Sequence, residues 1–72
     1  MAYSRGRCLL QYWLDYRGIS QAEFARRSGY SKRIVSHWCN DERKMSVEAM
    51  YTAAVILGIK MEQLYMWQIT VE

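Results

Sequence analysis

The chain has 72 residues, 51% of them hydrophobic, with ten Lys and Arg against seven Asp and Glu and a net charge of +3 at neutral pH. A chain of this size makes one domain, 1–72, buries only about 60% of its unfolded surface, and has little room for a catalytic pocket. No apolar run approaches the roughly 20 residues needed to cross a bilayer, there is no signal-peptide pattern, and two cysteines, Cys8 and Cys39, are too few for a disulfide framework and lack metal-ligand spacing. The composition predicts a cytosolic protein with no membrane segment, no metal and no other cofactor.

The first expected element is a helix from about Arg5 to Arg17, with Leu10, Trp13 and Leu14 on one face at spacings of three and four. Gly18 and the bulky Ile19 close it. Ser20 then reads as an N-cap with Gln21 as the first residue of a second helix, in which Phe24 and Ala25 face inward. Gly29 can take the positive φ that ends a helix, and Tyr30 supplies the apolar contact after it. Ser31 is a second N-cap, and Val35 and Trp38 give the third helix its inward stripe. Lys32, Arg33, Ser36 and His37 are left on its outer face. Two helices joined this tightly cross steeply, so one of them projects, and a projecting helix can enter a DNA groove.

At these residues the chain resembles the lambda-repressor and Cro type of helix-turn-helix family, in which Gln, Ala, Gly and a β-branched residue recur where this sequence has Gln21, Ala25, Gly29 and Val35. A fourth helix is expected after the N-cap Ser46, running to Leu57 with Val47, Met50, Ala54 and Leu57 inward and Glu48 in its first turn. Met61, Leu64 and Tyr65 suggest a short fifth. The family's pattern in this region is matched by Met50, Ala54, Leu57, Gly58 and Leu64. The resemblance covers about 8–65, leaves 66–72 as a short tail, and implies an all-α, five-helix lambda-repressor-like DNA-binding domain with the helix-turn-helix at helices 2 and 3. Its expected core is Phe24, Ala25, Val35, Trp38, Val47, Met50, Ala54, Leu57 and Leu64. In the tail, Ile69, Thr70 and Val71 have the composition of a short strand.

The chain departs from the family at several points. An arginine late in the first helix and a glutamate at the end of the recognition helix, a frequent pair, are Leu14 and Cys39 here; losing both halves of a buried ion pair together is physically coherent. The usual glycine after the recognition helix is Asp41 and the usual proline before the fourth helix is Met45, which leaves the shape of the loop from Asn40 to Met45 open. Lys60 stands where a better N-cap is common, so the fifth helix is expected to be the weakest.

Charge is unevenly spread. Residues 1–44 carry nine Lys and Arg against four acids, a net of +5, while residues 45–72 carry Lys60 against three glutamates, a net of −2. A basic half that coincides with the two central helices suits a polyanion. Arg26 and Arg27 equally favour the C-terminal dipole of their own helix, and Arg5 and Arg7 equally read as a solvated end. Lys32 and Arg33 differ, because cations in the first turn of a helix oppose its dipole and need another reason to be there.

The resemblance implies sequence-specific binding of double-stranded DNA by a small bacterial or phage-type transcriptional regulator, a repressor, with a recognition helix at about 31–39 in the major groove. By the same resemblance Lys32, Arg33, Ser36 and His37 read bases, Arg33 being the best placed to grip a guanine. Gln21 matches the family's phosphate-binding glutamine, and Ser31, Asn40, Arg43 and Lys44 are positioned to hold the DNA backbone. One short helix reads few base pairs, so a homodimer is expected, joined through Tyr65, Met66, Trp67, Ile69 and Val71. An enzyme is not expected, since the sequence has one histidine and no carboxylate pair at a spacing that makes a shared site. The rival reading is a protein-binding module of the same fold, an antirepressor or antitoxin-like partner of a regulatory protein. Ten aromatic residues keep it alive, because they cannot all fit one small core.

Overall fold

The computed structural model describes residues 2–70. Four α-helices are bracketed by two strands: β1 Ala2–Cys8, α1 Leu10–Arg17, α2 Gln21–Ser28, α3 Lys32–Cys39, α4 Val47–Leu57, a single 3₁₀ turn Met61–Leu64, and β2 Tyr65–Thr70. The expectation of five helices and no sheet is therefore corrected to four helices and a small antiparallel sheet, with Ala2 opposite Thr70, Arg5 opposite Trp67 and Cys8 opposite Tyr65.

Helices α2, α3 and α4 begin where their hydroxyl caps dictate. Ser20, Ser31 and Ser46 are extended, and their side chains accept from the backbone N–H groups of Glu23, Ile34 and Ala49. Gly29 ends α2 with φ 82°, a conformation that costs an L-residue roughly 1–2 kcal/mol, and its N–H donates to the Ala25 carbonyl. Tyr30 then turns its ring edge-on to Trp38, 5.0 Å between centroids, which fixes the entry of α3 against α2. Phe24, Val35, Leu10, Leu14 and Leu64 are fully enclosed around this joint, together with Ala25, Trp38, Met50, Ala54 and Leu57. Leu14 sits in this cluster and Cys39 packs against it, so both positions of the missing ion pair are apolar packing here.

Val47 is the exception to the expected core: it is 68% exposed. The buried stripe of α4 is Ala49, Met50, Ala53, Ala54 and Leu57. Val47 opens the first turn at the edge of that stripe, and Tyr51 and Val55, at four-residue steps from it, are exposed as well.

The first helix starts at Leu10 rather than Arg5 because the preceding residues pair with the far end of the chain. Gly6 makes that pairing possible: a Cβ there would lie 2.4 Å from the Met66 carbonyl oxygen, so any other residue would push the strands apart. The expected fifth helix shrinks to one 3₁₀ turn. Its carbonyls are taken by donors from outside it, Trp67 Nε1 to Glu62 O and Trp13 Nε1 to Gln63 O at 2.7 Å each, and Leu9 N to Leu64 O at 2.7 Å, which sends Tyr65 directly into β2. Lys60, poor as a side-chain cap, is served in reverse by Gln63, whose side-chain oxygen accepts from the Lys60 N–H at 2.9 Å.

The loop from Asn40 to Met45 takes its shape from the sheet. Asp41 adopts φ 61° and closes α3 as a Schellman turn, with Glu42 N donating to His37 O and Asp41 N to Trp38 O. Its Oδ1 also accepts from the Cys8 N–H at 3.2 Å, tying the loop to β1. Met45 is buried, and its N–H donates to the phenolic oxygen of Tyr65 at 2.9 Å, a bond that the family's proline has no hydrogen to make. Arg5 completes the clamp: its guanidinium donates to the Met45 carbonyl at 2.7 Å and lies 5.0 Å over the Tyr65 ring. Arg5 is thus an anchor inside the fold and not part of a solvated end.

Candidate nucleic-acid interface

The outer arc of α3 is set by helical spacing, because Val35 and Trp38 turn inward and Lys32, Arg33, Ser36, His37 and Asn40 fall on the other side. Ser31, Arg33, Ile34, His37 and Arg43 line one open hollow of about 270 Å³. Two expected base readers, Arg33 and His37, and two expected phosphate holders, Ser31 and Arg43, are therefore brought together although Arg43 lies beyond the end of the helix. Lys32 is exposed at the first position of α3, and Asn40 and Lys44 are exposed on the turn that follows it. Ser36 is half-buried on the helix itself. The Ser31 oxygen already accepts from Ile34 N at 3.2 Å, so toward a phosphate it has its hydroxyl proton to offer.

Electrostatics separate the cations of the basic half into two groups. Arg26 and Arg27 both hold the carboxylate of Glu23, Arg27 Nε at 2.7 Å, and this pulls the Glu23 carboxyl below its usual range, with Arg27 the larger cause. Arg17 donates to the Leu57 carbonyl at 2.9 Å and stabilises the C-terminus of α4. Lys32, Arg33, Arg43 and Lys44, by contrast, make no salt bridge among the described residues. Arg5, Arg7 and Arg17 make none either, so what distinguishes Lys32, Arg33, Arg43 and Lys44 is their exposure on α3 and the loop after it.

Gln21 stands apart from this hollow. It occupies the first turn of α2 and donates from Nε2 to Gln11 Oε1 at 2.6 Å, while Gln11 in turn donates to Asp15 Oδ1 at 2.8 Å. Tyr65 is not at the surface, being 2% exposed, so the interface role expected for it is replaced by the clamp on Met45. Met66, Trp67 and Ile69 are exposed on β2, and Val71 lies outside the described residues. A second hollow, apolar and about 490 Å³, opens between α4 and the sheet, lined by Arg5, Val47, Met50, Met61, Glu62 and Trp67.

One residue beside the hollow has no counterpart in the sequence-based expectations. Glu42 counted only as an acid in the basic half, yet its Oε1 lies 3.0 Å from His37 Nδ1. The turn after α3 brings them together. The only sequence signal was the helix-ending position at Asp41, which folds the next residue back over the last turn.

Comparison with known proteins finds the same fold elsewhere. A family model described as helix-turn-helix matches residues 10–64. The restriction-modification controller protein C.AhdI from Aeromonas hydrophila superposes with a TM-score of 0.71 at 25% identity, over 76% of this chain and 83% of that one. SinR, the master regulator for biofilm formation, in a structure with DNA, gives a TM-score of 0.72 at 18% identity over 76% of this chain and 89% of its own. The N-terminal DNA-binding domain of SinR from Bacillus subtilis gives 0.71 at 18% identity, covering 76% and 81%. No curated protein matches significantly. The matched segment takes in all four helices and the joint at Gly29, and on that ground the chain belongs to the helix-turn-helix family of DNA-binding transcriptional regulators.

Proposed function

We propose that the chain is a repressor that binds a defined double-stranded DNA site with α3 in the major groove. The observation that carries this reading is the hollow that joins Arg33 and His37 to Arg43, next to exposed cations that make no salt bridge among the described residues. Arg33 takes the O6 and N7 of a guanine with its planar fork, and Lys32, Ser36 and His37 read neighbouring positions. Ser31, Asn40, Arg43 and Lys44 hold phosphates on either side, and Gln21 offers a further contact at the N-terminus of α2, where the helix dipole favours an anion.

The active form in this reading is a homodimer. A two-stranded sheet is marginal on its own, and five of the six residues of β2 are exposed, among them Met66, Trp67 and Ile69. A second copy placed on this face covers that apolar surface, and such a dimer is expected to select two half-sites about one turn of DNA apart. The apolar hollow beside Val47 and Trp67 supports a second reading, in which the same fold binds a regulatory protein instead of DNA.

Selection of bound sequences from a random duplex pool, followed by sedimentation of the complex, tests the proposal. A palindromic site with half-sites a helical turn apart and a dimer on it are expected. Binding with no sequence preference at low salt that vanishes at higher salt favours the protein partner instead.

A further inference from the structure

His37 lines the hollow on the outer face of α3 with one of its ring nitrogens, Nδ1, engaged by a carboxylate. Nδ1 lies 3.0 Å from Glu42 Oε1, and the Glu42 N–H donates to the His37 carbonyl at 2.8 Å, so the turn that ends α3 holds the carboxylate beside the ring. A carboxylate only accepts, hence the Nδ1 of this pair carries the proton. In the neutral ring the lone pair is then on Nε2. A free histidine side chain in water favours the opposite arrangement, with the proton on Nε2. The other charged side chains around the same hollow, Arg33 and Arg43, are donors and cannot take the Nδ1 proton.

We propose that Glu42 is a positioning residue that fixes His37 as the Nδ1–H tautomer, so that Nε2 offers an acceptor to the groove and selects a base-edge amino group, N6 of adenine or N4 of cytosine. The inference rests on the reading that the outer face of α3 reads bases. It adds a hydrogen-bond sense opposite to that of Arg33: the guanidinium, all donors, seeks the acceptors of guanine, and the imidazole seeks a donor. Without Glu42 the ring presents Nε2–H, and the same position turns toward an acceptor, guanine N7 or O6, thymine O4 or adenine N7, leaving cytosine as the one base with nothing to offer it.

The test has two arms. His37 is the single histidine of the sequence, so its ring ¹⁵N signals are assigned without ambiguity. On the neutral ring, followed through a pH titration, the Nδ1–H form is expected in the wild type and a shift toward Nε2–H in Glu42→Ala. The Glu42 side chain is exposed and the turn is closed by backbone bonds, so this variant folds. In the second arm, site selection is run on the wild type, Glu42→Ala, His37→Ala and the double variant. A preference of roughly tenfold for adenine or cytosine at one base position is expected in the wild type and near unity in His37→Ala. Glu42→Ala loses a cytosine preference or turns it toward guanine or thymine, an adenine preference broadens to the other acceptor bases because adenine keeps N7 as a partner, and the double variant matches His37→Ala. Removing a carboxylate from the DNA face also tightens binding to all duplexes alike, which leaves the base preference as the clean readout. Nε2–H in the neutral wild-type ring, or a doubly protonated ring in the DNA complex, overturns the positioning by Glu42. Nδ1–H together with an unaltered site in His37→Ala overturns base reading by His37 alone. A wild type with no preferred site removes the DNA-reading premise itself.

Discussion

Replacing Tyr65 by phenylalanine isolates the clamp that joins the sheet to the loop before α4. The ring, its volume and the guanidinium of Arg5 lying 5.0 Å over it all remain; the hydroxyl that accepts from Met45 N at 2.9 Å and also meets the Cys8 thiol is removed, and the Met45 amide reports the first of these contacts by itself. Both residues are almost fully enclosed, at 2% and 1% exposure, so the Met45 N–H is left inside with no partner and no water. Orphaning a buried donor costs about 1–3 kcal/mol, a large share of the roughly 5 kcal/mol at the low end for small domains. With a urea slope of about 1 kcal/mol per M for a chain this short, Tyr65→Phe should lower the unfolding midpoint by roughly 1–3 M. Exchange of the Met45 amide hydrogen should speed up in the same variant. A midpoint that does not move, at an unchanged slope and with the Met45 amide still protected, would refute the clamp.

Three further outcomes follow from particular side chains. Gly6→Ala places a methyl against the Met66 carbonyl oxygen, and overpacking of this kind should cost about 1–3 kcal/mol in urea unfolding, the loss falling on the strand pairing. Burial pushes the Cys39 thiol up to about 11 from an ordinary 9.0. Between those values the folded chain holds a proton that the unfolded chain has released, so stability present below pH 9.0 should fall as pH rises toward 11; a flat unfolding midpoint across that window contradicts it. Arg43→Ala or Lys44→Ala should weaken binding to all duplexes alike and reduce the salt slope by about one unit for each phosphate the variant no longer neutralises.

The parts of the fold that were legible in the sequence are those fixed by neighbours in the chain. Ser20, Ser31 and Ser46 cap helices within three residues of themselves, and Gly29 fixes the joint of α2 and α3 by its own φ. The outer arc of α3 follows from the positions of Val35 and Trp38 alone. What escaped was non-local. Nothing near Arg5, Gly6 and Arg7 announces that their partner strand begins at Tyr65, and without that partner the segment reads as the start of a helix. The same distance hid the compensations for the departures from the family: Asp41 is held by Cys8, and Met45 by Tyr65 and Arg5. Val47 was misplaced because a first-turn residue at the edge of a stripe satisfies the spacing without reaching the core.

A salt titration of Arg33→Ala against preferred and scrambled duplexes decides whether α3 reads sequence or merely attracts a polyanion. Arg33 is exposed and makes no salt bridge among the described residues, so its loss leaves the fold intact and any defect belongs to the interface. If α3 reads bases, the variant loses about 1–3 kcal/mol on the preferred duplex and less on the scrambled one, and its preference at one base position flattens. An equal loss on both duplexes, or a wild type that never distinguishes them, would contradict it.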